Sequence, residues 1–304
     1  MTTFHRTACL ALAATLAPSL HAKPHCPGSV TSLHFHPGHG SQIIAPVMIN
    51  RTGPYDFLVD TGTQVTIIDS LLAESLRMSQ NGGTQLVGIG FQERAAFAQT
   101  ESLEMGSQAV TGLRVLVWTK ERPQAADLKI RGILGGDFLS HFDILIDNAH
   151  QLICLDSGDT MRQEIRGSHI DLEPLPGHSG DARISHSPVI AVHLSGLRAS
   201  QLLLIDSGAN VPLLYGPEGL LRVETRGSAT LRGGGAGGGM RAFAALPPQE
   251  MKIGSFTFHQ VSFLTLRQAK TDRRPIAADG VLTTGIFRRI LISYTQNFAV
   301  VEPW

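Results

Sequence analysis

Residues Phe57 to Ile68 read FLVDTGTQVTII, and residues Leu203 to Leu214 read LLIDSGANVPLL. In each, an apolar run ends in Asp, a hydroxyl residue and Gly, and a second apolar run follows. The two Asp residues lie 146 positions apart (206 minus 60). Further landmarks repeat at nearly the same offset. Glu104-Met105-Gly106-Ser107 matches Lys252-Ile253-Gly254-Ser255, and Gly132-Ile133-Leu134 matches Gly280-Val281-Leu282, both 148 apart (252 minus 104; 280 minus 132). Three landmarks in one order at nearly one spacing indicate a duplicated unit.

Each half is made of short apolar runs separated by Gly, Pro or Asn, with little helical periodicity, so both halves are predicted to be mostly β. Ile43 to Ile49 and Tyr55 to Val59 are expected to form a hairpin around Arg51 to Pro54. Pro188 to Leu194 with Gln201 to Ile205 repeat it around Ser195-Gly196. One short helix is expected over Ser70 to Arg77, with Leu72 and Leu76 on one face and Ser70 as its cap. The expected division is a signal peptide over 1–22, an extension over 23–40, a first lobe over 41–156, a polar linker over 157–186 and a second lobe over 187–304.

The 304 residues are 42% apolar and 16% charged, enough for two cores. Lys plus Arg equals Asp plus Glu at 25 each, so no bulk charge draws the chain to nucleic acid or to an anionic membrane surface. Met1 to Arg6 is short and basic, Thr7 to Leu20 is apolar and interrupted by Pro18, and Ala22 suits cleavage. Export to a periplasm or the exterior is therefore expected, without stable membrane insertion after cleavage; an uncleaved anchor is the alternative. Removing the signal removes Cys9 and leaves Cys26 and Cys154. These are either a disulfide or two buried thiols, which geometry decides.

An apolar strand running into Asp60-Thr61-Gly62 or Asp206-Ser207-Gly208 leaves a carboxylate at the mouth of a core, where it must be satisfied by hydrogen bonds. The glycines Gly62 and Gly208 let backbone N–H groups approach it, and the hydroxyls of Thr61 and Ser207 are placed to bond across the boundary between the halves. A pseudo-twofold axis would bring Asp60 and Asp206 face to face. Two carboxylates at about 3 Å cannot both ionise, so they would share one proton. Such a pair offers a base for a water and an acid for a carbonyl together.

These paired turns, with Gly132-Ile133-Leu134-Gly135 and Gly280-Val281-Leu282 downstream, resemble the pepsin/retropepsin superfamily of aspartic peptidases, above all its compact bacterial retropepsin-like members. The resemblance covers nearly the whole mature chain. It implies an all-β, bilobal acid-protease fold, a cleft between the lobes that takes an extended polypeptide, catalysis by Asp60 and Asp206 with no cofactor or metal, and a complete site within one chain. It also implies Gly-tipped flaps. Gly88, Ile89 and Gly90, followed by Phe91, are the first candidate, and Gly235 and Gly237 within the Gly233 to Gly239 run are the second. The chain departs from the larger pepsin-like pattern in three places. No Tyr occurs from Thr63 to Arg131, Ala209 stands where Thr63 stands in the first half, and Thr283 replaces the glycine equivalent to Gly135. The last two leave room for a second reading, an exported peptide-binding protein that keeps the fold with weak or no turnover.

A third triplet, Asp156-Ser157-Gly158, lacks both the following apolar strand and a partner at the repeat offset, and is expected to be a turn. His34, His36 and His39 have the spacing of a metal site, but they lie in a Gly/Pro-containing extension without a nearby Cys or acidic ligand, so no metal is expected there. No Gly-x-Ser-x-Gly elbow is present.

Overall fold

The computed structural model of the chain describes residues 26–27, 30–38, 40–88, 91–118, 129–165, 167, 169–175, 187–216, 230–234, 240–266 and 277–304. They form almost entirely β-structure, in sheets of ten, nine and six strands. The ten-stranded sheet is built from the first half of the chain, the nine-stranded sheet from the second. In the six-stranded sheet the order is Thr31–His34, Leu152–Asp156, Asp143–Asp147, Phe287–Ser293, Phe298–Pro303 and His169–Asp171. Its central pair joins the halves, with Leu145 opposite Leu291. The pseudo-twofold relation expected from the repeat is therefore expressed in a shared floor to which both halves contribute.

The repeated sequences occupy equivalent places. Gly132–Leu134 runs parallel to Thr52–Val59 and antiparallel to Ile67–Asp69, so it threads between the strands before and after the first Asp turn. Gly280–Thr283 does the same between Gln201–Asp206 and Leu213–Leu214. The leading glycine of each inserted strand has a steric cause. A Cβ at Gly132 would lie 2.2 Å from the Phe57 ring, and one at Gly280 would lie 2.1 Å from the Leu213 carbonyl oxygen.

The strand into each Asp is apolar on both faces because both faces are covered. Phe57 and Val59 enter the main core, which also takes in Leu203, Ile205, Phe138, Ile144 and Ile290. Leu58 points the other way, into a cluster with Ile67, Ile133, Leu116 and Trp118. Burial of side chains of this size contributes about 1.5–3 kcal/mol each. The strand that delivers Asp60 is thus clamped from two sides.

Local details differ from the sequence expectation in three ways. The first hairpin turns at Asn50-Arg51, not over Arg51 to Pro54. Ile49 pairs with Thr52, and Asn50 and Arg51 take φ of 49° and 63°, the two-residue turn that fits the strand twist. The helix spans Ser70–Ser75, and its cap is Asp69 rather than Ser70: Ser70 already lies in the helix, and the Asp69 side chain before it accepts from the Leu72 N–H at 2.7 Å. Within 157–186, expected to be a polar linker, the described residues include a helix, Thr160–Glu164, and a strand, His169–Asp171, that pairs with Phe298–Pro303. No described helix is long and apolar enough to cross a membrane.

Cys26 and Cys154 are joined by a disulfide. It fastens the chain just ahead of Thr31–His34 to Leu152–Asp156, the strand with which Thr31–His34 pairs. The segment expected to be a signal peptide, residues 1–22, lies outside the described residues.

Candidate active site

Asp60 and Asp206 sit where the two strands leave the core. The turn after Asp60 wraps its carboxylate in donors. Oδ1 accepts from the N–H groups of Gly62 at 2.9 Å and Thr63 at 3.0 Å, and Oδ2 accepts from the Thr63 hydroxyl at 2.7 Å. Asp60 N–H in turn donates to the Leu134 carbonyl at 3.0 Å, which ties the turn to the inserted strand. At the second turn Asp206 Oδ1 accepts from the Gly208 N–H at 2.7 Å. No hydroxyl is available there, because Ala209 presents a methyl group.

The hydroxyls of Thr61 and Ser207 bond reciprocally across the boundary. Thr61 Oγ1 donates to the Ile205 carbonyl at 2.8 Å and accepts from Ser207 N–H at 3.1 Å. Ser207 Oγ donates to the Val59 carbonyl at 2.7 Å and accepts from Thr61 N–H at 3.1 Å. Both side chains are fully buried, so each turn completes the polar accounting of the other.

The glycines decide how close the carboxyl groups come. A Cβ on Gly62 would lie 2.6 Å from Asp206 Cγ, and a Cβ on Gly208 would lie 2.6 Å from Asp60 Cγ. Each turn therefore offers its bare glycine to the carboxyl of the other, and the two carboxyls hydrogen-bond to one another. Burial pushes both above the ordinary carboxylate range. For Asp60 the Thr63 hydroxyl, the bond from Asp206 and the turn N–H groups pull back. Asp206 stands well above that range because, besides burial, the Asp60 charge beside it opposes ionisation. The two carboxyls therefore titrate as a pair, with the Asp60 charge opposing ionisation of Asp206.

The third triplet makes the same local turn. Asp156 Oδ1 accepts from Gly158 N–H at 2.8 Å, and its other oxygen accepts from Met161 N–H at 2.8 Å. It is an Asp-x-Gly turn feeding a short helix, with no second triplet at the repeat offset to face it. The difference between it and the pair lies in the partner, not in the triplet.

Of the flap candidates, Gly88 closes the strand Gln80–Gly88, and its partner across the hairpin is Phe91. Ile89 and Gly90 lie outside the described residues. In the second half Thr230–Gly234 pairs with Met240–Ala245, while Gly235 and Gly237 lie outside them. The two hairpins occupy equivalent positions in the two halves. His34 and His36 are exposed, His39 is outside the described residues, and among the described residues no group of three His, Cys, Asp or Glu side chains is placed to hold a metal ion.

Several contributors were not anticipated from the sequence. Asp137 Oδ1 accepts from the N–H of Thr66 at 2.9 Å and from its hydroxyl at 2.6 Å, and Thr66 Oγ1 accepts from Gly135 N–H at 3.1 Å. This bracket closes the loop behind Asp60, and burial raises the Asp137 carboxyl. Its one visible signal was an acidic residue two positions after Gly132-Ile133-Leu134-Gly135. Thr283, read as a departure that could displace the second turn, instead supports it: its hydroxyl donates to the Ala209 carbonyl at 2.7 Å, and Asp206 keeps its pairing with Thr283. The phenol of Tyr294 is raised by burial and by the Asp60 charge, which places it in the field of that carboxylate.

Two β lobes around a buried, hydrogen-bonded aspartate pair define the aspartic-proteinase class of architecture. Residues 45–138 match the family model described as aspartyl protease. No curated protein matches the chain in sequence. Among 212 matching chains of solved structure is the aspartic proteinase from Irpex lacteus, similar with a TM-score of 0.54 over 91% of this chain and 97% of that one, at 9% identity. At that identity the likeness is one of fold. The family match lies in the first lobe, and the likeness of fold extends over both halves.

Proposed function

We propose that the protein is an aspartic endopeptidase that cleaves extended polypeptide by a water activated between Asp60 and Asp206. The observation that carries this reading is the buried pair of Asp turns, each laying its bare glycine against the carboxyl of the other. Asp60, ionised and held by three donors, accepts a proton from the water as it attacks the scissile carbonyl. Asp206, protonated, donates a hydrogen bond and then its proton to the carbonyl oxygen. The tetrahedral intermediate, a gem-diol, collapses as the proton taken by Asp60 passes to the leaving nitrogen and one hydroxyl returns a proton to Asp206. Water, amide and two products balance with no covalent enzyme intermediate. The reciprocal bonds of Thr61 and Ser207 keep the carboxyls from separating during the exchange, the kind of prearrangement on which such acid-base chemistry depends.

The hairpins that carry Gly88 and Gly233 are positioned to cover a peptide laid between the lobes. One chain supplies both aspartates, and export is supported by the N-terminal segment and the disulfide. Ala209 favours a second reading, a peptide-binding protein of the same fold, because it leaves Asp206 without the hydroxyl bond that Asp60 enjoys. Incubation with unfolded polypeptide from acid to neutral pH, with and without pepstatin, separates the two. Pepstatin-sensitive cleavage is expected, whereas pepstatin-sensitive binding without cleavage would favour the second reading.

A further inference from the structure

The Asp206 turn receives support from a part of the chain that lies outside the repeat. Gly38 and residues 40–42 stand at the tip of a short hairpin between His36–Pro37 and Ile43–Ile49, closed by a bond from Gly38 N–H to the Gln42 carbonyl at 2.8 Å. The tip crosses to the second lobe. Gln42 Nε2 donates to the Gly208 carbonyl at 2.9 Å, and Ser41 Oγ lies 2.7 Å from Thr283 Oγ1, which itself donates to the Ala209 carbonyl. The surfaces are closely fitted: a Cβ on Gly285 would lie 2.3 Å from Ser41 Cβ, and Gly40, at φ +69°, packs its backbone against Asn210.

The first lobe needs no such visitor. There Thr63 bonds Asp60 directly, Gly136 N–H donates to the Thr63 carbonyl at 2.7 Å, and Thr66 and Asp137 close the loop. At the repeat offset of 146 the second lobe has Ala209 for Thr63 and Pro212 for Thr66, so both hydroxyls are missing. The tip and Thr283 bond the very carbonyls, of Gly208 and Ala209, that the second turn would otherwise leave loosely held. The tip is also tethered on its far side by Phe35 N–H to the Gln151 carbonyl at 3.0 Å, the pairing of Thr31–His34 and the Cys26–Cys154 disulfide.

We infer that Ser41 and Gln42 are positioning residues for Asp206, an arm at the start of the first lobe that sets the second carboxyl turn against the first. Its consequence for turnover rests on the peptidase reading; its consequence for Asp206 does not. Gln42→Ala removes the donor at every pH. Gln42→Glu keeps a donor only while the new carboxyl is protonated, below about pH 4.3, and then becomes a charge facing the Gly208 carbonyl and the Asp60 and Asp206 carboxyls behind it. Loss of one such bond is expected to lower kcat about 3- to 10-fold with KM little changed.

The experiment measures kcat and KM on unfolded polypeptide from pH 3 to 7 for the wild type and both variants, together with the titration of the ¹³C-labelled Asp206 carboxyl. The expected result is a Gln42→Glu to wild-type kcat ratio near one at acid pH that falls as the new carboxyl ionises, a Gln42→Ala ratio that is low throughout, and an Asp206 titration displaced in both variants. A pH-independent Gln42→Glu ratio, or an Asp206 titration unchanged by either substitution, overturns the inference. If the wild type cleaves nothing, the peptidase reading fails, and the Asp206 titration alone decides the positioning role.

Discussion

Replacing Ser207 by Ala removes one oxygen and two bonds, and both lost partners are backbone groups in a dry interface. Thr61 N–H loses its acceptor, and the Val59 carbonyl loses a donor at 2.7 Å. Ser207 itself is fully buried, so no solvent replaces the oxygen. An orphaned buried backbone group costs about 1–3 kcal/mol, with the carbonyl toward the lower end because it keeps a second lone pair. The expected loss is therefore about 2–4 kcal/mol, which in a chain of this size lowers the melting temperature by roughly 4–10 °C. Ser207→Thr is the control, since the twofold-related position already holds Thr61 in the same bonding pattern, and it should stay within about 1 kcal/mol of the wild type. Thr61→Val combined with Ser207→Ala should cost less than the sum of the two, because the four bonds form one reciprocal set. Thermal unfolding followed by circular dichroism reads all of these without a substrate. A Ser207→Ala protein that melts within about 1 °C of the wild type would refute the claim that the hydroxyls couple the lobes.

Two further expectations concern the pair itself. Gly208→Ala places a carbon 2.6 Å from Asp60 Cγ, about 1 Å inside ordinary contact, in a backbone conformation that alanine can adopt. The protein should fold and lose cleavage by about 100-fold or more as the carboxyls are forced apart; near wild-type turnover would show that the glycine contact does not set the dyad. The second expectation is a pH slope. Asp206 is raised in the folded state well above its ordinary 3.8, so the folded protein holds a proton that the unfolded chain releases. This contribution to stability is complete below about pH 3.8 and is lost as pH rises through the higher folded value. Asp206→Asn cannot titrate, so its unfolding free energy relative to wild type should rise from acid to neutral pH in urea titrations; a constant difference would mean that Asp206 is not raised.

The frame of the site was legible because it is made of covalently local patterns. An apolar strand ending in Asp, a hydroxyl residue and Gly specifies a buried carboxyl turn wherever it occurs. The constant offset to Gly132 and Gly280 specifies which strand passes between the flanking strands. Contacts between segments distant in sequence left no such trace. Nothing around Ser41 or Gln42 announces that they reach residues 208–210, because the crossing is fixed by how Thr31–His34 docks on Leu152–Asp156. Thr283 illustrates the same limit from the other side. As a substitution in a repeat it looks like damage, but its hydroxyl finds the Ala209 carbonyl only once the second lobe is folded. The central sheet was hidden because Asp143–Asp147 and Phe287–Ser293, each with a short Ile-Leu-Ile core, carry no label that they are partners.

The most direct measurement is the rate of peptide-bond hydrolysis by the Asp60→Asn and Asp206→Asn proteins, side by side with the wild type, on one unfolded polypeptide at the wild-type pH optimum. Either substitution leaves the turn N–H groups and the reciprocal Thr61 and Ser207 bonds in place while removing one half of the proton-sharing pair. We expect both variants to fold and each to lose about 1,000-fold or more in kcat, since base and acid roles of this kind are worth about 100- to 10,000-fold apiece. Cleavage persisting near the wild-type rate in either variant would contradict a water held and activated between the two carboxyls.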